Sequence, residues 1–187
     1  MPTEGLQITK FSEAADLSDE ILKAVEKMGF SEMTPVQAKT LPLMMEGRDL
    51  IAIAPTGTGK TCAFGIPLLV DLNRQSDKTQ ALILAPTREL AQQITEDLVD
   101  LSHFMEGVHI ACLYGGQPIQ KQFDRLKKGP QIIVATPGRL MDHMKRRTVH
   151  LNSVTQVVLD EADEMLDMGF YKDVTKILDS LKNKKQL

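Results

Sequence analysis

The chain has 187 residues and a mass of 20.8 kDa, enough for one globular domain with a proper core and too short for two complete ones. Hydrophobic residues make up 42% and charged residues 25%, with 12 Gly and 9 Pro spread along the chain, which argues against disorder, collagen and coiled coil. The 22 Lys and Arg against 25 Asp and Glu leave a net charge of −3, so a polyanion would have to be met locally rather than by bulk electrostatics.

From the start, MPTEGLQITK has no basic segment leading into an apolar core, and no apolar run approaches the roughly 18 residues of a membrane helix. A cytoplasmic protein with no membrane partner is expected. Ser18 to Met28 reads as a helix capped by Ser18, and Val36 to Met45 as a second helix opening after Pro35. Five short runs rich in Ile, Val, Leu and Ala then follow, at Asp49 to Ala54, Gln80 to Ala85, Val108 to Leu113, Gln131 to Ala135 and Thr155 to Leu159. They read as buried strands. Helical patterns alternate with them: Thr61 to Asn73, Arg88 to His103, Ile119 to Lys127, Pro137 to Arg147 and Tyr171 to Leu181.

A buried strand, a crossover helix and another buried strand form the unit of a parallel sheet. The expected fold is therefore α/β, three-layered, with a mostly parallel sheet flanked by helices on both faces and ligands at the carboxyl ends of the strands. Residues 1–45 are not needed by such a sheet, which places a domain boundary before residues 46–187. Cys62 and Cys112 show neither CxxC nor nearby-His spacing, so no disulfide framework or zinc site is indicated and a reducing compartment fits best. None of the four histidines has ligand spacing, and the 10 methionines suit core filler.

Charge is uneven. Lys121 to Arg147 carries eight Lys or Arg against two Asp, whereas Asp160 to Asp167 packs five acidic residues into eight, directly after the last strand. The strongest local signal is Ala54-Pro55-Thr56-Gly57-Thr58-Gly59-Lys60-Thr61, between a strand pattern and a helix pattern. Gly57 and Gly59 permit an anion-binding curl of backbone N–H groups, Lys60 can reach terminal phosphates, and the Thr61 hydroxyl can ligate Mg²⁺. The strict pattern GxxxxGK[ST] fails only at Ala54. At the end of the fifth run, Asp160 can hold Mg²⁺ through water and Glu161 can polarise an attacking water.

Seven elements stand together: Gly29-Phe30, Thr34-Pro-Val-Gln37, the phosphate loop, Pro86-Thr87-Arg88-Glu89-Leu90, Gly115-Gly116, Thr136-Pro137-Gly138-Arg139 and Asp160-Glu161-Ala162-Asp163. In this order and approximate spacing the chain resembles the N-terminal RecA-like ATPase domain of a DEAD-box RNA helicase, a family in which the Ala form of the phosphate loop is common. The resemblance implies ATP or ADP with Mg²⁺ as cofactors. It implies that Gln37 reads the adenine edge while Phe30 packs on its face. Phe11, an isolated upstream aromatic, matches a further adenine contact of the family, although a lone Phe ahead of a helix is also what a core plug looks like. One amide both donates and accepts, which suits adenine and mismatches guanine.

The resemblance further assigns Pro86, Thr87, Arg88, Gly115, Gly116, Thr136, Pro137, Gly138 and Arg139 to an RNA backbone. Thr87 and Thr136 suit helix N-caps and Pro137 a first helical position, so N–H groups are left for phosphate. Contacts to sugar and phosphate imply RNA binding without sequence specificity. Asp163 couples nucleotide to a Ser-Ala-Thr element and a second RecA-like domain in the family, and neither lies within this chain. A lone domain without the arginine finger is expected to bind nucleotide and hydrolyse it very slowly. Two other classes remain open at this point: a clamp that binds RNA without turnover, and an ATP-driven DNA translocase.

Overall fold

Local sequence determines the helix boundaries. In the computed structural model, which describes residues 10–14, 17–55, 57–183 and 186–187, helix α1 (Asp19–Lys27) is capped by Ser18, whose side chain accepts from the Ile21 N–H at 3.4 Å. Its Ile21, Ala24 and Val25 form a buried i, i+3, i+4 stripe. Helix α2 (Pro35–Met45) opens with Pro at its first position, and helix α3 (Lys60–Val70) is buried from Cys62 to Leu69. A short 3₁₀ turn, Phe11–Glu13, precedes them.

The chain divides into two compact units: the described residues up to Asp71 together with Leu98–Glu106, and Leu72–Asp97 with Gly107–Leu187. In the first, α2 packs along α3. Gly65 of α3 meets the last turn of helix α4 (Arg88–Leu101) so closely that a Cβ there would stand 2.9 Å from Leu98 Cδ2 and 3.2 Å from Leu101 Cδ1. Contact of this kind requires glycine or a shift of both leucines.

The second unit is built on four parallel strands: β1 (Ala81–Leu84), β2 (Ile110–Leu113), β3 (Ile132–Ala135) and β4 (Gln156–Leu159), in the order β2-β3-β1-β4. Between and after them come α4, α5 (Gln120–Leu126), α6 (Pro137–Lys145), α7 (Ala162–Asp167) and α8 (Tyr171–Ser180). Every residue of β1 and β3 is buried, as expected for interior strands of a parallel sheet covered on both faces. Burying side chains such as Leu82, Ile83 and Leu84 contributes roughly 1.5–3 kcal/mol each before chain entropy is counted. One core joins Leu82, Leu84, Ile133, Leu140, Met165 and Ile177, with α6 packed against α8.

The register aligns the strand ends. Leu84 pairs with Ala135 and with Leu159, and Leu113 pairs with Ala135, so the segments leaving the four strands emerge along one edge of the sheet. The ladder continues one step beyond: Ala85 N–H donates to Ala135 O at 3.0 Å, Thr136 N–H to Leu113 O at 2.9 Å and Asp160 N–H to Leu84 O at 3.0 Å.

The structure corrects one sequence expectation. Asp49 to Ala54 is not a strand, and Ile51 and Ile53 are 96% and 98% exposed. An apolar run becomes a strand only when a neighbour supplies ladder partners. The four described strands pair with one another, and the outer side of β4 is bridged in parallel by Gln186, whose N–H donates to Thr155 O at 3.1 Å. The N-terminal helices fall in the same compact unit as the phosphate loop and α3. No helix among the described residues is long and apolar enough to cross a membrane.

Candidate functional site

In the first unit, Thr34 and Gln37 form a capping box at the start of α2. The Gln37 N–H lies 3.5 Å from Thr34 Oγ1, and Gln37 Oε1 accepts from the Thr34 N–H at 2.9 Å. The other end of the same carboxamide donates from Nε2 to the carbonyl of Gly59 at 3.0 Å. Gln37 is 3% exposed, so both of its polar atoms are engaged in a dry environment and the amide joins α2 to the phosphate loop.

The loop depends on two glycines. Gly57 and Gly59 have φ of +81° and +82°, a region that a side chain enters only at a cost, and a Cβ on Gly59 would collide with Gln37 Nε2. Thr58 Oγ1 donates to Pro55 O at 2.7 Å and braces the curl, while Lys60 and Thr61 form the first turn of α3. Ala54 and Pro55 lead in, and Thr56 lies outside the described residues. Phe30 follows the end of α1 and is 42% exposed, a ring face available for stacking. Phe11 is 2% exposed, next to Lys10, which bridges Glu32 in antiparallel fashion.

The second unit carries the remaining elements on the edge where the strands end. Asp160 is 8% exposed and accepts at Oδ1 from the Glu161 N–H at 3.1 Å. Glu161 has φ 51° and ψ 52°, left-handed values that cost a non-glycine residue roughly 1–3 kcal/mol and cluster at functional sites. Asp163 is exposed in the first turn of α7.

Along the same edge Thr87 Oγ1 accepts from the Leu90 N–H at 3.2 Å, a working cap for α4, whereas Thr136 caps α6 by its backbone alone. Pro86 and Pro137 are buried, Gly115 and Gly116 exposed. Arg88 is spent on Glu89 at 2.9 Å; the backbone N–H of Glu89 and then this guanidinium hold the Glu89 carboxyl below its usual range. Arg88 Nη1 stands 3.6 Å from where a Cβ on Gly116 would lie. Arg139 Nη2 donates to Gln117 O at 3.1 Å, which ties the Gly115-Gly116 loop to the turn at Gly138. Arg139 Nη1 and Gln117 Nε2 are buried without a hydrogen-bond partner. A pair of unspent donors in this position suits an oxyanion.

The structure thus brings Gln37 to Gly59, and Arg139 to the loop of Gly115 and Gly116. The phosphate loop belongs to one unit and Asp160 to the other. Gln117 escaped the sequence reading because a lone Gln beside two glycines carries no signal. The Thr34–Gln37 capping box, in contrast, stands openly in the sequence as T-x-x-Q.

Comparison with known proteins decides the family. The model of the DEAD/DEAH box helicase family matches residues 34–187. The chain belongs to the DEAD/DEAH box helicase family.

Among curated relatives, the ATP-dependent RNA helicase CshA of Listeria monocytogenes is 52% identical over 179 residues, 96% of this chain and 34% of that protein. The ATP-dependent RNA helicase DeaD of Buchnera aphidicola is 49% identical over 166 residues, 89% of this chain and 28% of that one. A crystal structure of a DEAD box protein from the hyperthermophile Methanococcus jannaschii superimposes with a TM-score of 0.90 at 44% identity, over 96% of this chain and 49% of that one. A hypothetical ATP-dependent RNA helicase from Sulfolobus tokodaii gives 0.82 at 38% identity, over 90% and 49%. The chain spans about a third of the length of these curated relatives. Its four-stranded parallel sheet with helices is the RecA-like domain of the family.

Proposed function

We propose that the chain is the N-terminal ATP- and RNA-binding part of an ATP-dependent RNA helicase that locally unwinds or remodels RNA duplexes. The observation that carries this reading is the bond from Gln37 to the Gly59 carbonyl, which attaches a donor-and-acceptor amide to a phosphate-binding loop at the distance of one hydrogen bond. Adenine recognition requires Gln37 to exchange bonds it already makes, so nucleotide occupancy is felt at once by α2 and by the loop. Phe30 stacks on the base; Phe11, buried beside the Lys10–Glu32 bridge, supports that aromatic side of the pocket from within.

The backbone N–H groups of the loop from Ala54 through Thr61 hold the phosphates, and Lys60 neutralises the terminal ones. Among the described residues no three His, Cys, Asp or Glu side chains are grouped as a metal cage. The Thr61 hydroxyl and the Asp160 carboxylate are each a hard oxygen donor of the kind Mg²⁺ takes beside substrate oxygens. When bound, Mg²⁺ neutralises charge on the transferring phosphoryl group. Glu161 orients and polarises the attacking water, and Asp163 relays nucleotide state toward the second domain of the longer protein.

RNA lies along the strand-end edge. Pro86, Thr87 and Arg88, Gly115 and Gly116, and Thr136 through Arg139 meet sugar and phosphate, and 2′-hydroxyl contacts give the preference for RNA over DNA. Without an arginine finger from a second domain, the loss in rate is about 10³ to 10⁵, so this chain alone holds nucleotide and barely hydrolyses it. The test is Mg-ATP turnover by a chain extended through its second domain. We expect stimulation by single-stranded RNA over DNA of matched sequence, and loss of turnover with retained nucleotide affinity in Glu161→Gln. Unchanged turnover in that variant would overturn the catalytic assignment.

A further inference from the structure

A buried polar relay runs beneath the loops described above. Gln122 on α5 and His143 on α6 are both 0% exposed. Gln122 Nε2 donates to the carbonyl of Tyr114 at 2.9 Å, the residue directly before Gly115. Gln122 Oε1 lies 2.9 Å from His143 Nε2, and His143 Nδ1 lies 2.8 Å from Thr148 Oγ1. A carboxamide oxygen only accepts, so the network assigns the proton to Nε2, while Nδ1 and the His143 carbonyl, 3.2 Å from Thr148 Oγ1, share the one hydroxyl proton of Thr148. The Phe123 ring meets the imidazole edge-on at 5.8 Å between centroids.

Two features separate this relay from ordinary packing. Burying an amide and an imidazole costs free energy that an apolar pair of the same volume would not, and each polar side-chain atom of Gln122 and His143 has a hydrogen-bond partner. It also ends on the backbone of an exposed glycine loop, with Gly116 at φ +86°. Such a loop has little conformational preference of its own and would pay its ordering entropy on binding. The relay holds the loop from one side at Tyr114 while Arg139 holds it from the other at Gln117. Both His143 and Arg139 sit on α6, the helix that opens at Thr136.

We propose that Gln122 and His143 are positioning residues that lock the Gly115-Gly116 loop to the Thr136–Arg139 turn, so that the two present their N–H groups to one RNA backbone in a fixed register. This inference rests on the RNA reading above, and neither residue touches RNA.

The test uses this chain with two probes: Mg-ADP by calorimetry, and a fluorescein-labelled single-stranded decauridylate by anisotropy. Gln122→Met keeps the volume and removes both side-chain bonds. It should leave Mg-ADP affinity within about twofold and weaken RNA binding about tenfold, the scale of re-ordering a few released groups. His143→Gln, which restores an N–H toward Gln122, should retain most of the RNA affinity, and Thr148→Val, which removes the hydroxyl's bonds to the ring and carbonyl of His143, should lose about two- to threefold. RNA affinity equal to wild type in Gln122→Met, with Mg-ADP binding intact, would overturn the proposal alone. Should Gln122→Met not fold, Thr148→Val decides by the same criterion. Failure of the wild-type chain to bind RNA would overturn the RNA reading and the proposal together.

Discussion

Replacing Gly59 by alanine should expose how tightly the phosphate loop and Gln37 are locked together. The residue sits at φ +82°, where alanine pays roughly 1–2 kcal/mol, offset by about 0.4–1 kcal/mol from the smaller entropy of the unfolded chain. Its new Cβ would also occupy the place of Gln37 Nε2 and stand 3.3 Å from Gln37 Cδ. The amide must swing away, breaking its bond to the Gly59 carbonyl and weakening the capping box, together about 1–2 kcal/mol. Gly59→Ala should therefore destabilise by about 1.5–3 kcal/mol. In a Gln37→Ala background nothing collides and only the backbone term remains, about 0.5–1 kcal/mol. Urea unfolding of the four proteins, followed by circular dichroism, should give a coupling of about 1–2 kcal/mol between the two positions. Additive effects within about 0.3 kcal/mol would show that the Gln37–Gly59 contact does not exist in solution.

Three other outcomes follow from the same structure. His143 has its pKa lowered from 6.5, first by burial and then by Arg139, with Asp142 opposing and Arg146 adding; Gln122, Thr148 and Phe123 around it are neutral. The unfolded chain therefore binds the proton more readily, so stability is full above pH 6.5 and falls as the pH drops toward the folded value. Thermal unfolding at pH 5 and 7.5 should show this loss in wild type and much less of it in His143→Gln. Glu161→Gly removes the left-handed strain at φ 51° and should raise stability by about 0.5–1 kcal/mol in denaturant titration while abolishing turnover in the longer protein. The Cys112 thiol is pushed up by burial, and Cys62 is buried too, so neither should react with a disulfide reagent until the chain unfolds.

Much of this was legible in the sequence because the signals are local. Ser18 and Pro35 announced α1 and α2, and the β-rich runs from Gln80 onward became β1 to β4 within a residue or two. The motif after each strand fell on one edge because a parallel sheet leaves no other place for it. What escaped depends on partners distant in the chain. Asp49 to Ala54 has the composition of a strand, yet strand pairing is a property of two segments and composition describes one. His143 has no ligand spacing in the sequence, and nothing in its neighbourhood shows that Gln122, 21 positions earlier, meets it in the core. Likewise, the unspent donors on Gln117 and Arg139 exist only once two loops have been folded together.

The central claim is that Gln37 makes this phosphate loop an adenine site. Calorimetric titration of the chain with Mg-ADP and with Mg-GDP, repeated on Gln37→Ala, tests it most directly, because diphosphate binding needs no second domain. The account predicts that ADP binds roughly a hundredfold more tightly than GDP, the scale of two buried hydrogen bonds gained or mismatched, and that Gln37→Ala erases most of the difference. Equal affinity for both nucleotides, or selectivity that survives the substitution, would contradict it.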